Sequence, residues 1–291
     1  MDALATNLVT VVEGIAFGLL LFTLAVGLSL VFGMMDVLNL AHGTLYLVGA
    51  YAAYALSDGS WWGLALAVVV GTVAGAAGGG LLAGMTLPLS RRGHLDQALL
   101  TLGVAFIAAE LFFEAFGHEV VPTAPPEALR GSVELFGRQY PVYRLVFIAV
   151  AAVLALAVYL VFERSTLGAL VRATVADREM VHAMGVDTRK VLFGVFAVGA
   201  ALAAIGGTLG APLLAPGPGI DERVLVLSLV VVVIGGLGSV RGALLGGLLI
   251  GQVQTLGVSL LPDLAPFLLF GAMLVVLAIK PAGLVPAGGR R

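Results

Sequence analysis

Residues 14–57 read GIAFGLLLFTLAVGLSLVFGMMDVLNLAHGTLYLVGAYAAYALS, an apolar stretch of 44 residues whose polar punctuation is Asp36, Asn39 and His42, just before Gly43. A hydrocarbon layer ~30 Å thick takes about 20 residues of helix at ~1.5 Å each. The stretch is too long for one crossing and short for two with a proper loop. An aspartate at the bilayer centre costs about 2.5–3.5 kcal/mol on insertion scales, so Asp36 must face protein, a cavity or the interface. Two arrangements fit. Either residues 36–42 are the hairpin between two shortened spans, or they lie at membrane depth as a broken segment. Gly33 and Gly43 flank them, as irregular backbone would need.

The rest of the chain agrees with a membrane setting. Of 291 residues, 60% are hydrophobic and 11% charged, and the mean hydropathy is +1.10. That is too little polar surface for a soluble globule and too much apolar side chain for disorder. Apolar runs place spans near 10–33, 43–57, 62–88, 97–116, 142–162, 187–210, 223–236, 241–259 and 264–280. All should be helices, because an isolated strand in lipid leaves its backbone unsatisfied, and barrel-type alternation is absent. The expected fold is an all-α polytopic membrane protein of about 8–9 transmembrane helices with interrupted or re-entrant segments, one transmembrane domain over residues 1–291. The start, Met1-Asp2-Ala3-Leu4, lacks the positive region of a signal peptide, so the first apolar stretch is expected to stay. A net charge of −2 offers no basic face for nucleic acid, and zero Cys removes thiolate chemistry.

Lysines and arginines set the orientation. One side collects Arg91, Arg92, Arg164, Arg172, Arg178, Arg189, Lys190, Arg241, Lys280, Arg290 and Arg291; the other has Arg130, Arg138, Arg144 and Arg223. Eleven against four places the first set, with the C-terminus, in the cytoplasm and the N-terminus outside. The outer loop, 117–141, carries two short apolar–polar stretches around Gly137-Arg138 that read as a small hairpin, either a contact surface for a soluble partner or a solvated connector. The inner loop, 163–190, reads as one amphipathic helix over 166–185, with Leu170, Ala173, Ala176 and Val181 on one side and Gly185 as its cap. Its mixed charge suits a protein groove better than anionic lipid.

A second interruption is Gly235-Gly236-Leu237-Gly238-Ser239-Val240-Arg241-Gly242. A shift of 199 residues aligns Ser29-Leu30-Val31 with Ser228-Leu229-Val230, Leu38 with Leu237, Gly43 with Gly242 and Leu45 with Leu244, six identities in 17 positions. Interrupted segments at matching places point to a transport pathway. Glycines spaced by four (Gly71, Gly75, Gly79; Gly80, Gly84; Gly206, Gly210; Gly242, Gly246; Gly247, Gly251) predict close helix crossings.

Catalytic signatures are missing. The two lysines, Lys190 and Lys280, sit in no phosphate-binding loop, no Gly-x-Ser-x-Gly elbow occurs, and His42, His94, His118 and His182 stand in four segments, giving no metal cluster. Glu110 and Glu114 lie one helical turn apart, as interfacial residues or as a route for cations.

The chain resembles the branched-chain amino acid ABC-importer permeases of the LivH type. The resemblance rests on Gly27-Leu28-Ser29-Leu30-Val31-Phe32-Gly33 with Leu38-Asn39-Leu40-Ala41-His42-Gly43, on Arg172-Ala173 with Asp177-Arg178-Glu179 and Ala183-Met184-Gly185, on Gly235-Gly236-Leu237-Gly238-Ser239-Val240 with Gly242-Ala243, and on Lys280-Pro281-Ala282-Gly283-Leu284. Arg241 stands where the family pattern suggests proline or a small residue, and Thr44 where it suggests an acidic one. The resemblance implies an ABC-importer permease fold in the bacterial inner membrane. It also implies a second permease subunit of LivM type, two cytoplasmic ABC ATPases that hold ATP and Mg, and a periplasmic binding protein. It assigns Arg172, Ala173, Asp177, Arg178, Glu179, Ala183, Met184 and Gly185 to ATPase coupling, with no cofactor on this chain. Asp36, Asn39, His42, Gly43, Gly235, Gly236, Gly238 and Ser239 would line the substrate pathway, although Asn39 and His42 could equally hold the helix break. The solute would be a branched-chain or related hydrophobic amino acid, or else urea, a short amide or an aromatic acid. A stand-alone secondary transporter with Asp36 and His42 as a proton relay is the competing reading.

Overall fold

The computed structural model describes residues 2–35, 38–91 and 93–285; Asp36, Arg92, Arg290 and Arg291 lie outside them. Eleven α-helices follow in order: α1 (Asp2–Met35), α2 (His42–Leu56), α3 (Trp61–Thr86), α4 (His94–Phe116), α5 (Val142–Tyr159), α6 (Thr166–Ala176), α7 (Arg178–Ala183), α8 (Thr188–Gly210), α9 (Ile220–Gly235), α10 (Val240–Leu260) and α11 (Ala265–Ile279). Each apolar run expected to span has become a helix. Their ends fall within three residues of the sequence-based ones, except that α1 begins eight residues early. Among the described residues, six helices are long and apolar enough to cross a membrane. Helices α2, α9 and α11, with 15, 16 and 15 residues, are too short for a ~30 Å layer at ~1.5 Å per residue.

The bundle is organised around α1, whose most apolar window is 83% buried, against 11% for α4 and 22% for α5. Glycine decides what reaches it. Lipid is as apolar as leucine, so tight packing rather than the hydrophobic effect holds membrane helices together. A Cβ on Gly18 would fall 2.8 Å from the carbonyl oxygen of Gly247, and one on Gly251 would fall 2.5 Å from Cα of Gly18, so α1 and α10 cross backbone to backbone. Gly71, Gly75 and Gly79 seat α3 on Thr208, Ala204 and Ala200 of α8. The glycine stripes therefore pack this chain against itself, except that nothing lies within 4 Å of Gly84.

The two ends of the bundle differ. At one end, β1 (Ser132–Leu135) and β2 (Arg138–Pro141) form an antiparallel hairpin. Its two-residue turn is Phe136-Gly137, one residue earlier than expected, with φ of 53° and 81°. Primed turns need positive φ, which matches the twist of the paired strands. Glu127 there donates its N–H to the carbonyl of Gly59, and Arg144, at the start of α5, pairs with Glu13 of α1. The start of α1 and the α2–α3 connection thus belong to the hairpin end.

The opposite end carries 163–190, where the structure corrects the single helix expected. Asp177, at φ −153° and ψ 95°, closes α6 and opens α7, and its side chain accepts the N–H of Met180. Aspartate competes with the helical backbone in mid-helix but satisfies an orphan N–H at a cap, so it breaks the helix. The inward face differs too. Gly168, Thr174 and Val181 are buried, whereas Ala173 and Ala176 are exposed. A Cβ on Gly168 would sit 2.2 Å from the carbonyl oxygen of Phe162; that contact sets the rotation of α6.

Candidate functional site

The first break is tied to the body of α1. The Nε2 of His42, the first residue of α2, lies 2.7 Å from the carbonyl oxygen of Leu24. Leu24 stands eleven residues, about three turns, before the end of α1. A carbonyl can only accept, so Nε2 is the protonated nitrogen. The N–H of Ala41 bonds to Oδ1 of Asn39 at 3.1 Å, and the N–H of His42 bonds to the Asn39 carbonyl. From α4, the Thr101 hydroxyl accepts the N–H of Leu40 at 3.1 Å and lies 3.2 Å from the carbonyl of Leu38. Irregular backbone needs such substitutes in lipid.

Asn39 and His42 are each 1% exposed. The Nδ2 of Asn39 and the Oγ1 of Thr44, both buried, have no hydrogen-bond partner among the described residues. They flank the free N-terminus of a half-helix, an arrangement that in transporters faces a solute. Gly43 packs on the backbone of Asp221 at the head of α9, where a Cβ would come 1.9 Å from the Asp221 carbonyl oxygen. Two interrupted helices therefore meet at their N-termini.

The second break is a tight turn. Gly236 and Gly238 have φ of 105° and 76°, and Ser239 caps α10 by accepting the N–H of Gly242 at 3.0 Å. Gly235 packs against Gly242. The breaks touch: a Cβ on Gly33 would fall 2.1 Å from Cα of Gly238. Under the 199-residue shift, Met35 and His42 fall within one residue of Gly235 and Val240. The tertiary outcomes diverge, with α9 and α10 forming a hairpin while α2 starts beside the middle of α1.

Residues 283–285 close the second break from below. The N–H groups of Leu284 and Val285 bond to the carbonyls of Ile234 and Gly235, and Gly283, at φ 85°, packs on Gly236. These carbonyls are among those a helix end leaves unpaired. The sequence reading missed this role, and that of Thr101, because both join segments far apart in the chain.

The eight residues expected to couple to an ATPase, Arg172, Ala173, Asp177, Arg178, Glu179, Ala183, Met184 and Gly185, are all exposed. Leu167, Met180 and Met184 are 65%, 60% and 76% exposed. Gly185, at φ 86°, ends α7, with the N–H of Val186 reaching back to Val181. Asp187 then caps α8 by accepting the N–H groups of Lys190 and Arg189, which hold its carboxyl below the ordinary aspartate range. The root of α6 is tied to α10 through Tyr159, whose hydroxyl accepts from Arg241 at 3.1 Å and from Arg164 at 3.3 Å. Arg241 also lies 5.2 Å from the Tyr159 ring centroid and 4.0 Å from the Glu163 carboxylate.

A largely helical bundle with six helices, among the described residues, long and apolar enough to cross a membrane defines a polytopic membrane protein. Comparison with known proteins specifies which kind. Residues 10–277 match the family described as branched-chain amino acid transport system / permease component, and the chain belongs to that family. It is similar to the high-affinity branched-chain amino acid transport system permease protein BraD of Pseudomonas aeruginosa, 27% identical over 288 residues that cover 94% of each protein. It is also similar to the corresponding LivH of Escherichia coli, 25% identical over 294 residues covering 94% of this chain and 93% of LivH. LivM of Escherichia coli is 28% identical over 297 residues, 90% of this chain and 67% of LivM. No solved structure matches the chain.

Proposed function

We propose that this permease is one membrane-spanning subunit of an ATP-driven importer of branched-chain or related hydrophobic amino acids. The observation that carries this reading is the exposed α6–α7 unit. Its apolar Leu167, Met180 and Met184 stand beside charged Arg172, Arg178 and Glu179, and the described chain leaves them uncovered. A soluble ATPase groove is the partner such a surface fits. The two ATPases would hold ATP and Mg, a second permease of LivM type would complete the membrane unit, and a periplasmic binding protein would deliver the solute to the hairpin end. In the bacterial inner membrane the N-terminus and 117–141 then face the periplasm, while 163–190 and the C-terminus face the cytoplasm. Asn39, His42 and Gly43, near the head of α9, and Gly235, Gly236, Gly238 and Ser239, at its far end, would line separate stretches of the route.

The test is uptake of labelled leucine, isoleucine and valine into vesicles holding the assembled complex, with and without ATP and the binding protein. Accumulation that needs both supports the reading. Preference for urea, short amides or aromatic acids keeps the mechanism and changes the solute. Uptake by the single chain under an ion gradient establishes a secondary transporter instead. Because the sequence holds no Cys, single cysteines at Phe136 and Met184 report the side of each loop without background.

A further inference from the structure

Three arginines gather where the end of α5 meets α6 and the start of α10. The hydroxyl of Tyr159, the last residue of α5, accepts from Nη2 of Arg241 at 3.1 Å and from Nε of Arg164 at 3.3 Å. Both guanidiniums also lie beside its ring, 5.2 and 5.9 Å from the centroid. A phenol oxygen has two lone pairs, and here both are spent on like charges. Arg172 of α6 donates to the carbonyl of Phe162 close by. Against these cations stands one carboxylate, Glu163, 4.0 Å from Arg241; among the described residues no other acid pairs with any of the three. Arg241 is doubly misplaced. It occupies the first turn of α10, where the helix macrodipole is positive and disfavours a cation. It also stands where the family pattern suggests proline or a small residue, so the cluster belongs to this chain rather than to the family.

Like charges drawn onto one neutral oxygen repel, and an anion shared between them turns that repulsion into attraction. The surroundings say which anion. Val153, Leu156 and Leu160 run along α5 at helical spacing towards the cluster, and Leu245 lies one turn beyond Arg241 on α10; all four are exposed. The arginines therefore stand at the edge of two membrane-spanning segments, Val142–Arg164 and Val240–Leu260, beside apolar side chains that the described chain leaves bare. A free phosphate or an acidic protein segment would answer the charges and leave those side chains uncovered. We propose that Arg164, Arg241 and Tyr159 form a binding site for the phosphodiester headgroup of an anionic phospholipid, whose acyl chains lie along Val153, Leu156, Leu160 and Leu245. Each guanidinium offers planar paired donors to the phosphate oxygens, Tyr159 sets their separation, and Arg172 adds to the positive potential. Basic sites between membrane helices take anionic headgroups in this way. Because Arg241 and Tyr159 also join α10 to the root of α6, a bound headgroup braces that joint. The site needs only a chain embedded in a bilayer, whatever solute it moves.

The test titrates the purified full chain in uncharged detergent with phosphatidylglycerol, or with phosphatidylcholine of the same acyl chains, and reads bound lipid by native mass spectrometry. Phosphatidylglycerol is expected to be retained in preference. Each arginine near an anionic lipid contributes about 1 kcal/mol, so Arg241→Gln and Arg164→Gln should each weaken retention about fivefold and the double variant about twentyfold. Arg241→Lys, which keeps the charge, should lose less. Arg138→Gln removes the same charge at the hairpin end and should change nothing. Unfolding temperatures in plain detergent that match the unaltered chain show that the variants are folded. Equal retention of the two lipids, undiminished phosphatidylglycerol in the double variant, or an equal loss in Arg138→Gln overturns the proposal. So does displacement of phosphatidylglycerol by millimolar inorganic phosphate, which would make the cluster a free-phosphate site, or by an acidic peptide, which would make it a protein contact. Solute uptake by the assembled complex is a separate measurement, and its failure leaves the lipid result standing.

Discussion

The hydroxyl of Ser29, six residues before the end of α1, accepts the backbone N–H of Gly238 at 3.1 Å across 209 residues of sequence. One turn further on, Gly33 presses against the same glycine. The two helix breaks are thereby one mechanical unit, and movement at either must be felt by the other.

Ser29→Ala removes the acceptor and leaves the Gly238 N–H unpaired in a half-buried site. A loss of about 1–3 kcal/mol is expected. Gly33→Ala should lose more, because its new Cβ would meet backbone at 2.1 Å, and backbone cannot swing aside as a side chain can. Thermal unfolding of the purified variants ranks them, and equal midpoints would contradict the contact.

Thr101→Val is nearly isosteric and deletes the clasp on the first break. The amide of Leu40 then loses its acceptor, and its hydrogen exchange should accelerate while exchange in the middle of α1 stays unchanged. Asn39→Leu is expected to impair uptake in reconstituted vesicles with the assembly intact. Failure of that variant to assemble would make Asn39 a holder of the turn only.

Asp187 gives the base of the 163–190 segment a pH dependence. Hydrogen bonds from Lys190 and Arg189 depress its carboxyl below the ordinary 3.8, so the cap is fully present above that value and is lost as pH falls through the lower folded-state one. Amide exchange at Arg189 and Lys190 should rise in strongly acidic solution. Asp187→Asn should keep the cap and abolish this dependence, and Asp187→Ala should show fast exchange at every pH.

Tyr159 and Gly185 test the two ends of the coupling segment. Tyr159→Phe removes the acceptor shared by Arg241 and Arg164 on an exposed surface, so the unfolding temperature should barely move. Gly185→Val forces a β-branched residue to φ 86°, which distorts the end of α7. Both variants are expected to lower solute moved per ATP hydrolysed in the assembled complex. An unchanged ratio in both would remove the coupling role.

The helix breaks show where sequence reasoning reached and where it stopped. Asn39, His42, Gly236 and Gly238 betray themselves locally, because polar residues and glycines inside an apolar run have few structural uses. What holds the first break could not be read that way. It is in part the His42–Leu24 bond, which no local pattern encodes. The 163–190 segment failed differently. Asp177 carried a cap signal, but apolar periodicity placed Ala173 and Ala176 inward, whereas the close approach of Gly168 to Phe162 turned them outward.

By itself the sequence determined the number and position of the apolar helices, since satisfying the backbone in lipid is a constraint on length and composition that each segment meets alone. It also marked Gly185 as a helix cap, whose own bond reaches back only three residues. Tertiary structure decided which glycine meets which, that 283–285 seals α9, and that Thr101 holds the first break. The physical reason is that a helix apolar on every side does not announce its inward face; only backbone-to-backbone fit and scarce long-range hydrogen bonds choose it.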